Sequence, residues 1–279
     1  MTDRLIKLLI SAILGACDVL IRPLGGCRSG SCVVINYHSI SEETKLRFSK
    51  QLDLLLRLAT PIPAGKELHL EKGRRYVAIT VDDVFQSFVA NGLPELCQRN
   101  IPVTLFPPTG YLGRNSAWND YGGENKVGET VASADDLKAI AKLGNVDFGS
   151  HGVTHADLAL LPEAGARQEL QNSKKSLEGI VGREITAFSF PYGSHGAREL
   201  RFASESGYQL FFDSTPQQMV STLGEGLIGR VDVQPTDWDI EFRLKICGAY
   251  RWVRWASAWK KKARSWFADP TSTKDSNHG

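Results

Sequence analysis

The sequence predicts an α/β fold, a distorted (β/α)7 barrel with amphipathic helical extensions at both ends. Three observations point there. Seven short runs rich in Val, Ile and Phe are spaced along the chain from residue 32 onward, each with the length of a buried strand. Helical patterns alternate with them, which implies parallel strands joined by right-handed crossovers. The 279 residues suit one large α/β domain with extensions, and are too many for a disulfide-stapled miniprotein.

Residues 1–29 form an N-terminal segment. Residues 5–21 are apolar but interrupted by Lys7 and Asp18, the pattern of an amphipathic helix lying on a membrane or on the domain surface. A signal peptide is the rival. Arg4 and Lys7 would be its basic region, residues 8–14 its short apolar core, and Leu14-Gly15-Ala16-Cys17 resembles a lipoprotein processing site.

The barrel spans residues 30–248. Its strands are expected at residues 32–37, 76–81, 102–106, 146–148, 186–190, 208–212 and 227–231. Residues 45–58 place Phe48, Leu52 and Leu55 on one helical face. A second helix covers 85–99 and stops before Asn100 and Pro102. Ser133 caps a third over 134–143, and Gly144 closes it. Helices over 162–181 and 197–206 end at Gly182 and Gly207, as expected where the residue after a helix adopts positive φ. The stretch 107–131 contains Trp118 and shows no periodicity. Long loops in compact domains are often functional, so it reads as a wall of the site.

Hydrophobic residues make up 42% and charged residues 23%, which excludes a disordered or fibrous chain. Nothing resembles ~18 uncharged apolar residues in a row, so a standard membrane-spanning helix is not expected. A net charge of +2 argues against a nucleic-acid partner. The charge is unevenly placed, however. Arg251, Arg254, Lys260, Lys261, Lys262 and Arg264 stand in a stretch with no acid, leaving a mildly acidic remainder. Trp252, Trp255, Trp259, Ala263 and Trp266 recur there at helical spacings. Residues 249–268 therefore read as a basic Trp-rich helix whose span 250–267 lies in the plane of an anionic membrane. Packing of the Trp face on the barrel is the plainer alternative, and no nucleic-acid-binding motif accompanies the stretch. Residues 269–279 are polar and expected to be disordered. The five cysteines are scattered and lack CxxC spacing, which fits a reducing compartment. The expectation is a cytoplasmic protein held peripherally at a membrane, with an exported lipoprotein as the alternative.

The polar outliers fall at strand ends. Asp82 and Asp83 follow the second strand, His151 and His155 the fourth, Pro191-Tyr192-Gly193 the fifth, and His38 the first. In a parallel barrel these ends share one rim, and the rim carries the active site. Two imidazoles and a carboxylate suit Zn²⁺ or a similar divalent ion. One aspartate with His151 and His155 supplies three ligands and leaves a position for water. The other aspartate remains to take a proton from that water. Taken singly, each piece has a plainer reading as a cap, a turn or a surface pair. The spacing of the histidines is not that of a zincin helix, because Gly152 stands where that motif needs glutamate.

In their order, these segments resemble the polysaccharide deacetylase family (carbohydrate esterase family 4, the NodB homology domain). Thr80-Val81-Asp82-Asp83 resembles its first motif, His151-Gly152-Val153-Thr154-His155 its second, and Pro191-Tyr192-Gly193 the end of its third. The strand ending in Tyr37-His38 resembles the opening of one branch, and the likeness covers roughly residues 30–235. The resemblance implies a divalent metal, Zn²⁺ by expectation, on Asp83, His151 and His155. It implies Asp82 as general base and the Tyr192 backbone N–H as an oxyanion donor. The implied activity is removal of N-acetyl groups from amino sugars of a polysaccharide, an oligosaccharide or a lipid-linked precursor.

The chain also departs from the family pattern. Ser189 replaces an arginine that orients the base in many members. Residues 227–231 lack the histidine that supplies the acid, so His38 is the candidate acid and His195 the second. Val84 stands where many members have glycine, and Gly152 where many have Ser or Thr. The missing arginine and histidine motivate an alternative, a carbohydrate-binding or scaffold protein that keeps the barrel without turnover.

Overall fold

The computed structural model describes residues 2–21, 30–65, 70–118, 128–219 and 226–256. All seven expected strands are present: β1 (Ser31–Tyr37), β3 (Arg75–Asp82), β4 (Val103–Phe106), β5 (Val146–Phe148), β6 (Ala187–Ser189), β7 (Leu210–Asp213) and β9 (Leu227–Asp232). Two short strands were not foreseen. β2 (Thr60–Pro61) pairs with β3, and β8 (Gln218–Met219) runs antiparallel beside β1. At two residues each they are too short to leave a periodic signal.

The seven long-range partners run β5-β4-β3-β1-β9-β7-β6, all parallel. The ends of this path meet through a single parallel bridge between Ser150 and Phe188, so the barrel is nearly closed. A Cβ on Gly149 would lie 2.1 Å from the Phe106 ring, so glycine is what lets the chain turn inward at the seam.

The expected helices form around the barrel: α2 (Glu42–Leu58), α3 (Leu93–Gln98), α4 (Ala134–Ile140), α5 (Glu163–Val181) and α6 (Ala197–Glu205). Phe48, Leu52 and Leu55 of α2 are buried, as their spacing requires. The helix expected over 85–99 is split. Phe88–Gly92 forms a wider turn with π-type bonding before α3, and Phe88 and Gly92 are buried there. Ser133 and Asp136 cap α4 reciprocally, each side chain accepting from the other's backbone N–H. Gly182 and Gly207 take positive φ, as the helix ends demand.

Two further helices lie outside the alternation. α1 (Thr2–Ile21) is the expected N-terminal helix, and α7 (Asp239–Ile246) is one the sequence pattern did not reveal. Arg4 of α1 donates to Glu241 of α7 at 2.6 Å, tying the two. Only the first residues of the expected Trp-rich helix are described: a tight turn at Ala249–Arg251 runs into a helix through residue 256. The remainder of that helix and the 269–279 tail lie outside the described residues.

Strand alternation produces two cores. Val33, Ile35, Val77, Ile79, Phe188, Phe190 and Phe211 face outward onto the helices. Cys32, Val34, Ala78, Phe106, Ala187, Phe212 and Ile228 face inward and plug the barrel. Each Val, Ile or Phe among them removed from water contributes about 1.5–3 kcal/mol. Above the plug the inward positions change from apolar to polar, and there the site begins.

Candidate active site

The polar layer is organised by Arg230 on β9, whose side chain is fully buried. Its guanidinium lies over the paired Phe106 and Phe212 rings, 5.6 and 5.7 Å from their centroids. It donates to both carboxylate oxygens of Asp82, at 2.8 Å from Nη1 and 2.6 Å from Nη2. It also donates to Asn36 Oδ1 at 3.0 Å, Ser189 Oγ at 2.8 Å and the Asp213 carbonyl at 3.2 Å. Asn36 Nδ2 and Ser189 Oγ each donate to Asp82 Oδ2 at 3.2 Å. Burial by itself would raise the Asp82 pKa. The Arg230 charge and hydrogen bonds, with His151 and His38, outweigh it and hold the carboxyl ionised, far below the usual carboxylate range.

Arg230 thus occupies the role left vacant by the serine at position 189. It reaches Asp82 from a different strand, and Ser189 serves as its partner. Sequence reasoning missed it, although a signal existed: it is the one charge in the apolar run 227–231, and a charge in a buried strand needs a partner. The absence of a histidine in that run stands as expected.

Asp83, His151 and His155 converge just beyond Asp82. One ligand atom from each lies within 4.8 Å of the others, and all three residues are buried. His155 Nε2 is 3.4 Å from Asp83 Oδ1, and His151 Nε2 is 3.9 Å from Asp82 Oδ2. His151 Nδ1 lies 2.8 Å from the Ser189 carbonyl. A carbonyl only accepts, so Nδ1 carries the proton and Nε2 presents its lone pair. Burial lowers the pKa of His151, and it pushes His155 down to about 2 with help from His151. Both rings are therefore neutral, the state in which imidazole binds a metal. Two neutral imidazoles and a carboxylate fit a divalent cation.

The loops are held in strained shapes to achieve this. Among the described residues, five non-glycine residues have positive φ, and four of them are Asp83, Val84, His155 and Tyr192. Such conformations cost about 1–3 kcal/mol each and persist where the surroundings impose them. Val84, at φ 51, shows why glycine suits that position. The segment between the histidines is a loop, not a helix. Gly152, at φ 79, begins it, and Glu169 of α5 fastens it. Glu169 accepts from the Val153 and Thr154 backbone N–H groups at 2.7 and 2.9 Å and from the Thr154 hydroxyl at 2.7 Å. Glu169 sits in an ordinary helical pattern and gave no sequence signal.

Trp118, from the stretch 107–131, does form a wall. Its Nε1 donates to Asp83 Oδ2 at 3.1 Å, and its ring stacks on His155 at 4.2 Å between centroids. The Tyr192 ring stands edge-on to His155 at 4.8 Å, from the tight turn Pro191–Gly193. His38 is half-buried, and its charge acts on Asp82, His151 and His155 alike. His195 instead pairs with Asp213 at 3.2 Å and packs against Phe190, whose side chain belongs to the outer core.

A sequence model of the family described as polysaccharide deacetylase matches residues 69–211, which include every residue of the Asp-His-His cluster. The chain belongs to the polysaccharide deacetylase family. It is a carbohydrate N-deacetylase by that membership. Tyr37 and His38 precede the matched residues. No curated protein sequence matches this deacetylase. Among solved structures, IcaB from Ammonifex degensii aligns with TM-score 0.65 at 21% identity, over 80% of this chain and 98% of its own. A polysaccharide deacetylase from Bacillus cereus aligns with TM-score 0.65 at 18% identity, over 81% and 80%. The Streptococcus pyogenes deacetylase PplD, in complex with acetate, aligns with TM-score 0.59 at 19% identity, over 75% and 94%. At these identities the likeness is one of fold.

Proposed function

We propose that this deacetylase hydrolyses the N-acetyl amide of an amino sugar within a polysaccharide, an oligosaccharide or a lipid-linked glycan precursor. The observation that carries the reading is the buried Asp83–His151–His155 cluster beside an aspartate held ionised by Arg230. Asp83, His151 and His155 hold the metal, and their N and O donors favour Zn²⁺. A bound divalent ion supplies Lewis acidity and lowers the pKa of water.

The protein's own groups do the rest. Asp82 is the general base. Its carboxylate lies beside the ligand cluster, 3.9 Å from His151 Nε2, and is ionised at physiological pH, the state in which it accepts the proton of the attacking water. Arg230, Asn36 and Ser189 fix the direction of its lone pairs. The Tyr192 backbone N–H, in the turn beside His155, donates to the oxygen that gains charge as the amide carbonyl becomes tetrahedral. One such donor contributes about 3 kcal/mol. Collapse of that species expels an amine, which must be protonated. His38, close enough to act electrostatically on Asp82, His151 and His155, delivers that proton, whereas His195 is engaged with Asp213.

The scaffold alternative loses much of its motive, because Arg230 fills the place of the arginine missing at 189. Acetate release from a panel of N-acetylated amino-sugar oligomers and lipid-linked amino sugars tests the reading, with Asp82→Asn alongside and metal content measured in both. The expected result is turnover by the wild type and metal retained without turnover in the variant. Metal-loaded wild type that hydrolyses none of the panel refutes the reading, and an active Asp82→Asn refutes the base.

A further inference from the structure

The N-terminal helix is turned inside out. Along α1, Leu5, Leu9 and Ile13 recur at four-residue intervals with Ile6 beside them, and these four side chains are 45, 64, 57 and 54% exposed. The opposite side carries Arg4, Leu8, Ser11 and Gly15 at helical spacing, with half-buried Leu8 its one large apolar member. Ser11 is fully buried, and its Oγ accepts from Trp252 Nε1 at 2.9 Å. Gly15 meets the Leu244 side chain. Arg4 donates to Glu241 at 2.6 Å and lies 4.5 Å over the Trp238 ring. A helix docked on a water-soluble surface buries its aliphatic stripe and shows its polar side. Here polar ties at Arg4 and Ser11 enforce the reverse over the first half of the helix.

More apolar surface gathers at these ties. Trp238 and Ile240, at the start of α7, are 44 and 51% exposed, and Trp255, three residues beyond Trp252, is 70% exposed. Exposed apolar surface gathered in one region marks an interaction site.

We propose that α1, Trp238, Ile240 and Trp255 form a docking face for an anionic lipid surface. Charge selects this occupant. Lys7 and Arg254 are exposed, Arg251 stands beside them, and the sequence continues from Trp255 into Trp259, Lys260, Lys261, Lys262, Arg264 and Trp266. Aliphatic side chains bordered by tryptophan and basic residues match the boundary between acyl chains and anionic headgroups. A second copy would set this cationic region against its own twofold image, which is repulsive. Among the described residues no helix is long and apolar enough to cross a membrane, so the attachment lies in the plane. The face also borders the catalytic rim. Arg4 bonds the Thr236 carbonyl, in the segment that leaves β9 at its rim end.

The proposal stands apart from the hydrolase reading, since it is tested without turnover. Full-length protein is floated with vesicles of equal parts phosphatidylcholine and phosphatidylglycerol, and with pure phosphatidylcholine vesicles. Wild type should float with the first and far less with the second. Leu9→Glu/Ile13→Glu should lose binding by about tenfold or more, while its circular dichroism and elution volume stay unchanged. Leu9→Ala/Ile13→Ala, which introduces no charge, should fall between. A wild type that never floats at low salt overturns the proposal. So does a glutamate variant that floats undiminished, which would leave the Trp-rich stretch as the sole contact. So does a wild-type dimer that the variant converts to monomer without lipid binding.

Discussion

Replacing Arg230 with methionine isolates the arrangement on which the base depends. The guanidinium has five N–H groups, and the structure supplies acceptors for all of them: Asp82, Asn36, Ser189 and the Asp213 carbonyl, with Thr80 Oγ1 at 3.3 Å. Methionine keeps an apolar stem beside Phe106 and Phe212 but leaves the Asp82 carboxylate buried without its countercharge. Breaking a buried pair in this way costs about 3–5 kcal/mol. At about 2–4 °C per kcal/mol for a domain of this size, the melting temperature should fall by roughly 10 °C. The sign of the pH dependence is fixed by the folded Asp82, whose pKa is depressed below the ordinary 3.8. Its contribution is present above that value and lost as pH falls. The gap between wild type and Arg230→Met should therefore narrow below about pH 4. Adding Asp82→Asn removes the stranded charge, so the double variant should regain most of the lost stability. Thermal unfolding in chelator, followed by circular dichroism, measures all three. If Arg230→Met melts within about 2 °C of wild type, or the double variant is no better than the single, the argument for a charge-paired base fails.

Three further outcomes are expected. Glu169→Ala releases the loop between the two histidines and should weaken metal binding about 10- to 100-fold, read by competition with a chromogenic chelator. An unchanged affinity would show that the loop holds its shape unaided. His38→Ala should lower kcat by about 100-fold or more while retaining metal, whereas His195→Ala should not, and the reverse pattern would exchange their roles. Ser133→Ala removes one half of the α4 cap and should cost about 1 kcal/mol, a fall of a few degrees in melting temperature; no change would mean that Asp136 caps the helix alone.

The strands were legible because each is a compact apolar run between turn residues, and the rim was legible because Asp82, His151 and Pro191 stand at or just beyond the ends of three of them. α7 was not, because its eight residues mix charges and apolar groups without a clear face, and tertiary packing imposes it. Asp83, His151 and His155 could be grouped from their positions at strand ends. Arg230 and Glu169 could not be joined to them, because they act from β9 and α5 across long sequence distances. Trp118 was assigned to a wall of the site, but its bond to Asp83 depends on how the loop folds back.

The joint between β5 and β6 has a bearing on how the protein holds itself together. Apart from the Ser150–Phe188 pairing, the link from His151 to the Ser189 carbonyl spans the same joint. One flank of the cylinder thus carries an imidazole that converges with Asp83, which follows β3 two strands away. An ion there would act as a rivet as well as a reagent. Stripping it should let the staves on either side of the gap exchange their amide hydrogens faster, while β1 and β3 in the middle of the sheet remain protected.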